Sequence, residues 1–258
     1  MLWSDWQQHT PEEHYSLQAI IDGQFDGALR QWCAAARGFG TPLMAEYGVE
    51  LNGEWFPWNG SWNGGGETRG YGDTALADGP ERFRDAYRHI IGICDGQGAD
   101  NITWVFHANY HDWPEAHWNR FENYYPGDEW IDWLAVSVYG PQMPMDETWH
   151  AFTPLMDEAY ARLAALSADK PVILAEFGAA VNHPDASQAE WAEETLQAIT
   201  TGRWPHLIGF LWWNERWQND EDPAHDSNLR VQDNPALQEV FMRLVGENVT
   251  VIDRIPIP

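Results

Sequence analysis

The segment Lys170–Gly178, KPVILAEFG, decides the fold. Four apolar residues, Val172–Ala175, run up to Glu176, Phe177 and Gly178. A short, near-continuous apolar run bounded by Pro and Gly reads as a strand covered on both faces. A helical pattern, SQAEWAEETLQAIT at Ser187–Thr200, follows it. The same pairing recurs along the chain. Strand-like runs lie at Thr41–Glu50, Asn101–His107, Asp132–Gly140 and His206–Trp213, each bounded by Pro, Gly, Asn or Asp. Between them lie DGALRQWCAAARGFG, DGPERFRDAYRHIIGIC with Pro80 in its first turn, and TPLMDEAYARLAAL; NPALQEVFMRLVG closes the series. One strand per helix predicts an α/β parallel sheet. Polar and aromatic residues gather after several different strands, which favours a barrel over a doubly wound sheet. No Gly-rich nucleotide fingerprint follows any strand.

Composition narrows the partners. Forty acidic residues against 14 basic give a formal charge of −26 over 258 residues. Such a chain repels nucleic-acid phosphates and anionic membrane surfaces, so neither is expected as a partner. No apolar run approaches the ~20 residues of a membrane span. The histidines show no metal spacing, and neither a metal nor another cofactor is expected. Cys33 and Cys94 both fall on helical patterns and form no disulfide framework, so buried thiols are expected. Seventeen tryptophans exceed what packing alone asks for, because each buried indole N–H needs a partner. Flat apolar rings with a polar edge suit sugar rings.

Three strand-like runs end in Glu50, Tyr139 and Glu176. In a barrel, residues at the carboxyl ends of strands meet on the active face. A carboxylate closing an apolar run is costly to desolvate without partners. Two such glutamates fit glycoside hydrolysis, in which one carboxyl group protonates the leaving oxygen and the other attacks the anomeric carbon or activates water.

The motifs VELNGEWFPW, YYPGDEWIDWLAVSVYG, KPVILAEFG and GFLWWNE, in that order, resemble the retaining glycoside hydrolases of family 26 from about Leu17 to Gly246. The resemblance implies a (β/α)8 barrel, a single catalytic domain over residues 1–258, a polysaccharide substrate and an extracellular location. A monomer is expected if the full barrel is present. Glu50 matches the acid/base at the end of strand four. Glu176 matches the nucleophile at the end of strand seven, and Tyr139 the tyrosine that hydrogen-bonds it. Trp55 matches a substrate-side ring. Trp212 or Trp213 matches the sugar platform on strand eight, with Trp212 the choice; His107 and Asn109 are further candidates for sugar contacts. In the loop Gly48–Gly66, Trp58 is expected to add a stacking surface and Asn52 a hydrogen bond. The activity implied is that of an endo-acting enzyme on a plant-type β-glycan, β-1,4-mannan or glucomannan first. Mixed-linkage β-glucan and β-1,3-xylan are the alternatives, because mannanases commonly carry His and Arg where this chain has Val49 and Glu46. A carbohydrate-binding protein without catalysis, or an inactive barrel remnant, is the reading from another class.

Only 49 residues precede Glu50, too few for three βα units. The expectation is therefore a six-stranded open barrel lacking the first two units. MLWSDW would be the remnant of strand three, and His206–Trp213 one free edge.

Overall fold

The computed structural model describes residues 9–252, which fall into two compact units, one running up to Ala135 and one from Val136 onward. All five expected strands form. They are β1 (Leu43–Glu46), β2 (Ile102–Asn109), β3 (Trp133–Tyr139), β4 (Val172–Gly178) and β5 (Leu207–Trp212). They hydrogen-bond in chain order within one sheet; β1 runs parallel to β2, and β4 parallel to β5. Five strands thus form this sheet among the described residues, against six expected; the proposed sixth, MLWSDW, lies outside the described residues. β5 pairs only with β4 among the described residues, so the expected free edge is present.

In the first unit, α1 (Leu17–Ile21) and α2 (Asp26–Phe39) lead into β1, and α3 (Asp78–Gly96) connects β1 to β2. Gly40, at φ +71°, stops α2 in the left-handed conformation that glycine adopts without a Cβ penalty. The inner face of α3 carries Phe83, Ala86, Tyr87, Ile90 and Cys94, at the three-to-four spacing seen in the sequence. The Tyr87 hydroxyl donates to the Val105 carbonyl at 2.7 Å and pins α3 to β2. The two cysteines are not free thiols. Cys33 on α2 and Cys94 on α3 are joined in a disulfide, with Cα atoms 4.9 Å apart. The helices are brought to bonding distance by packing, which no local spacing of cysteines can reveal.

In the second unit, α4 (Phe152–Leu166), α5 (Gln188–Thr200) and α6 (Pro235–Phe241) accompany the strands. A two-residue hairpin, β6 (Arg216–Trp217) against β7 (Ser227–Asn228), was not legible in the sequence. Phe177 stands at the centre of a ring cluster with Phe152, Trp191, Phe210 and Trp212, at centroid distances of 5.1–6.5 Å.

Burial separates central strands from edges. β2 and β3 are buried at every residue, as their apolar runs require; β4 opens only at Ala175 and Glu176. β1 and β5 instead alternate with solvent, exposing Met44, Ile208 and Leu211.

Candidate active site

β1 ends at Glu46, four residues before the expected Glu50. Gly48 at φ +73° and Glu50 itself at φ +48° turn the chain out of the strand. A left-handed backbone at a non-glycine residue costs of order 1–3 kcal/mol and persists only where its surroundings hold it. Two donors do so here. The Trp55 indole N–H reaches Glu50 Oε2 at 2.8 Å, and Asn109 Nδ2 reaches Oε1 at 2.8 Å. The Gly53 N–H closes the turn on the Glu50 carbonyl, also at 2.8 Å.

Gly53 is needed for a second reason. A Cβ at this position would overlap the six-membered part of the Trp55 indole. Gly53→Ala should therefore push Trp55 off Glu50. With Glu50 as the expected acid/base, loss of one hydrogen bond to it, ~1.5–3 kcal/mol, would lower kcat roughly 10- to 100-fold. Steady-state kinetics beside a thermal melt check this: an unchanged kcat in a folded variant would show that the indole contact is idle.

Four asparagine side chains lace the loops around Glu50. Asn52 donates to the Asn109 carbonyl and to Asp112 Oδ1, both at 2.9 Å, and accepts from the Asn109 N–H at 2.8 Å. Asn119 Nδ2 donates to the Asn52 carbonyl, and Asn59 Nδ2 to the Leu51 carbonyl, each at 2.9 Å. Asn52, expected to meet a sugar, is fully buried, with its amide engaged in holding the loop. Trp58 is likewise a packing residue. It is 7% exposed, stacks on Phe56, and donates to the Val49 carbonyl at 2.8 Å.

His107, expected as a sugar contact, is buried and carries Glu46 Oε2 at 2.8 Å from its Nδ1. Burial pushes the Glu46 carboxyl up, but the charge and hydrogen bond of His107 outweigh it and hold the group below the usual carboxylate range. A depressed folded-state value contributes stability above the unfolded value, and that stability is lost as pH falls through the folded one. Glu46→Gln should therefore lower the melting temperature at pH 7, and by progressively less as pH falls through the depressed folded-state value, where wild type loses the same contribution. Parallel melting curves across that range would show no such convergence if the pair were inert.

In the second unit, Tyr139 closes β3 and its hydroxyl donates to Glu176 Oε2 at 2.7 Å. Glu176 sits within β4 at the point where that strand opens. Trp212, the expected platform, packs instead on the face of Phe177, with Trp191 and Phe241 beside it, and donates to the Leu229 carbonyl at 2.7 Å. Strand alternation puts that face opposite Glu176. Trp213 is 40% exposed. Sequence reasoning missed Gly53, Glu54, Asp112, Trp113 and Asn119. Only Trp113 left a signal, an indole in the polar stretch HDWPE.

Each of the two glutamates is thus held by uncharged donors, Glu50 by an indole and an amide and Glu176 by a phenol. Among the described residues no group of His, Cys, Asp and Glu could hold a metal ion, and no helix is long and apolar enough to cross a membrane. The model of glycosyl hydrolase family 26 matches residues 12–203, most of the chain, and the chain belongs to that family. It is 26% identical to endoglucanase H of Acetivibrio thermocellus, over 95% of this chain and 24% of that protein. It is 29% identical to mannan endo-1,4-beta-mannosidase A and B of Caldalkalibacillus mannanilyticus, over 65% of this chain and 27% of that one. The chain thus spans about a quarter of the length of these curated relatives. Among solved structures, GH26C of a Muricauda species matches with a TM-score of 0.62 at 17% identity, over 94% of this chain and 63% of its own. The fold is accordingly of the (β/α)8-barrel type, represented by five consecutive strands.

Proposed function

We propose that the chain is the catalytic part of a retaining, endo-acting β-glycanase, with β-1,4-mannan or glucomannan as substrate. Glu176 is the nucleophile and Glu50 the acid/base. The observation that carries this reading is the Tyr139 hydroxyl on Glu176, which orients one carboxylate oxygen and steadies the charge an attacking group needs. In the first step Glu176 attacks the anomeric carbon while Glu50 gives its proton to the glycosidic oxygen, and the leaving chain departs. In the second, Glu50 takes a proton from water, whose oxygen displaces Glu176 from the sugar and restores both groups. This requires carboxyl groups ~5–5.5 Å apart; a separation of ~7–9 Å would mean inversion. Trp213, exposed just after β5 where Trp212 is packed, is the better platform.

Mixed-linkage β-glucan is the second reading. It is favoured by Glu46 and Val49 at positions where mannanases carry other residues, and by the endoglucanase relative, which matches more of this chain than the mannosidase does. Reducing-sugar release from glucomannan, galactomannan, barley β-glucan and β-1,3-xylan separates the substrates. Proton NMR of the first-formed product reads its anomeric configuration. Activity on barley β-glucan alone would overturn the mannan reading, and an inverted first product would overturn the covalent one. An extracellular site of action fits the Cys33–Cys94 disulfide, since such bonds persist in oxidising compartments.

A further inference from the structure

Trp113 has an environment that its packing does not explain. It lies in the loop after β2, and its backbone is tied on both sides to the Glu50 loop. Its N–H donates to the Asn52 carbonyl, and its carbonyl accepts from the Glu54 N–H, each at 2.9 Å. It bridges to Gly53 as a one-residue parallel pair. The indole N–H is held by Glu54 Oε1 at 3.1 Å, and His111 lies near the ring at a centroid distance of 6.1 Å. Yet the residue is 46% exposed. An indole whose polar edge is tethered while its surface stays open has already lost the freedom that stacking would cost it.

We propose that Trp113 is a platform for a neutral sugar ring on the leaving-group side of Glu50. The proposal rests on the glycanase reading given above. Asn109, four residues before Trp113, donates directly to Glu50. The intervening chain can span no more than about 14 Å, and the bridge from Trp113 to Gly53 ties the residue to the same loop that carries Glu50. The acid protonates the oxygen that departs, so a ring fixed to the acid's own loop meets the departing chain. Glu54 beside the ring can accept a sugar hydroxyl, and with Glu115 paired to His111 nearby it disfavours uronic acids.

The test compares Trp113→Ala and Trp113→Phe with wild type on two substrates of the preferred linkage. One is a β-1,4-linked hexasaccharide. The other is an aryl oligoglycoside with no sugar beyond the scissile bond. The expected result for Trp113→Ala is a KM about three- to tenfold higher on the hexasaccharide, little change in kcat, and unchanged kinetics on the aryl substrate. Trp113→Phe should recover most of the loss. Equal effects on both substrates, or none on the hexasaccharide, overturn the proposal while leaving the enzyme reading intact. If wild type hydrolyses no β-glycan, calorimetric titration with the hexasaccharide decides: weaker binding by Trp113→Ala retains the platform without the chemistry, and equal or absent binding removes it.

Discussion

Glu176→Gln should leave the protein folded and lower kcat by roughly ten-thousand-fold or more, the scale on which losing a covalent nucleophile is felt. The amide keeps the volume of the carboxylate and an oxygen that can accept from Tyr139, so the melting temperature should move little. It cannot form the glycosyl ester, and a loss of this size is at least about 5.5 kcal/mol of barrier. A purely structural Glu176 would give the opposite pattern, with a lower melting temperature and nearly wild-type kcat. Glycan binding by the variant separates a third case, since a non-catalytic binding protein would show neither activity in wild type nor a change in affinity. Glu176→Ala supplies a positive readout: with azide present, the freed space should admit an external nucleophile and yield a glycosyl azide of inverted configuration. Its absence, alongside wild-type rates in Glu176→Gln, would remove the residue from the mechanism.

The second large effect concerns stability. The Cys33–Cys94 bond joins α2 to α3 across a sequence separation of 61 residues. Closing a loop of that length restricts the unfolded chain by about 4 kcal/mol in the chain-entropy account. For a protein of this size, that corresponds to a melting temperature lower by roughly 10 °C in the Cys33→Ala, Cys94→Ala variant. Both cysteines are fully buried, so reductant should act slowly on the folded protein and quickly after unfolding. Thiol titration of the denatured, unreduced protein should find no free thiol. Two free thiols, or a double variant as stable as wild type, would overturn the expectation.

The strands were legible because apolar runs flanked by turn residues have few alternatives, and β2 and β3 are buried at every residue. β1 was read too long because nothing in YGVE shows that Gly48 and Glu50 both take positive φ. Glu50, Glu176 and Tyr139 stood out by their place at the ends of runs, and the Tyr139–Glu176 hydrogen bond is the one the resemblance implied, whereas the Trp55–Glu50 bond was not foreseen. The roles of the other rings were not legible. Trp58 and Trp212 point into packing, while Trp113 and Trp213 face outward, and identical indoles carry no mark of direction. The asparagine lacing was equally hidden, since Asn52 is fixed by residues 57 or more positions away. The disulfide was hidden for the same reason, being a product of tertiary packing.

Among the described residues β5 pairs on one side only, and an edge left open in this way bears on how copies of this chain tolerate one another. Open edges invite strand pairing between molecules, and many proteins discourage it with lysines or prolines on the edge itself. Here Leu207–Trp212 contains neither, and presents Ile208 and Leu211 to solvent. The deterrent is instead carried by the whole surface: a formal charge of −26 keeps like molecules apart before their edges can meet. Such a barrier reaches only about as far as the Debye length, ~8 Å at physiological ionic strength and ~3 Å at 1 M. Colloidal stability is thus coupled to ionic strength, and brine removes at long range the protection that an edge lysine would keep at contact.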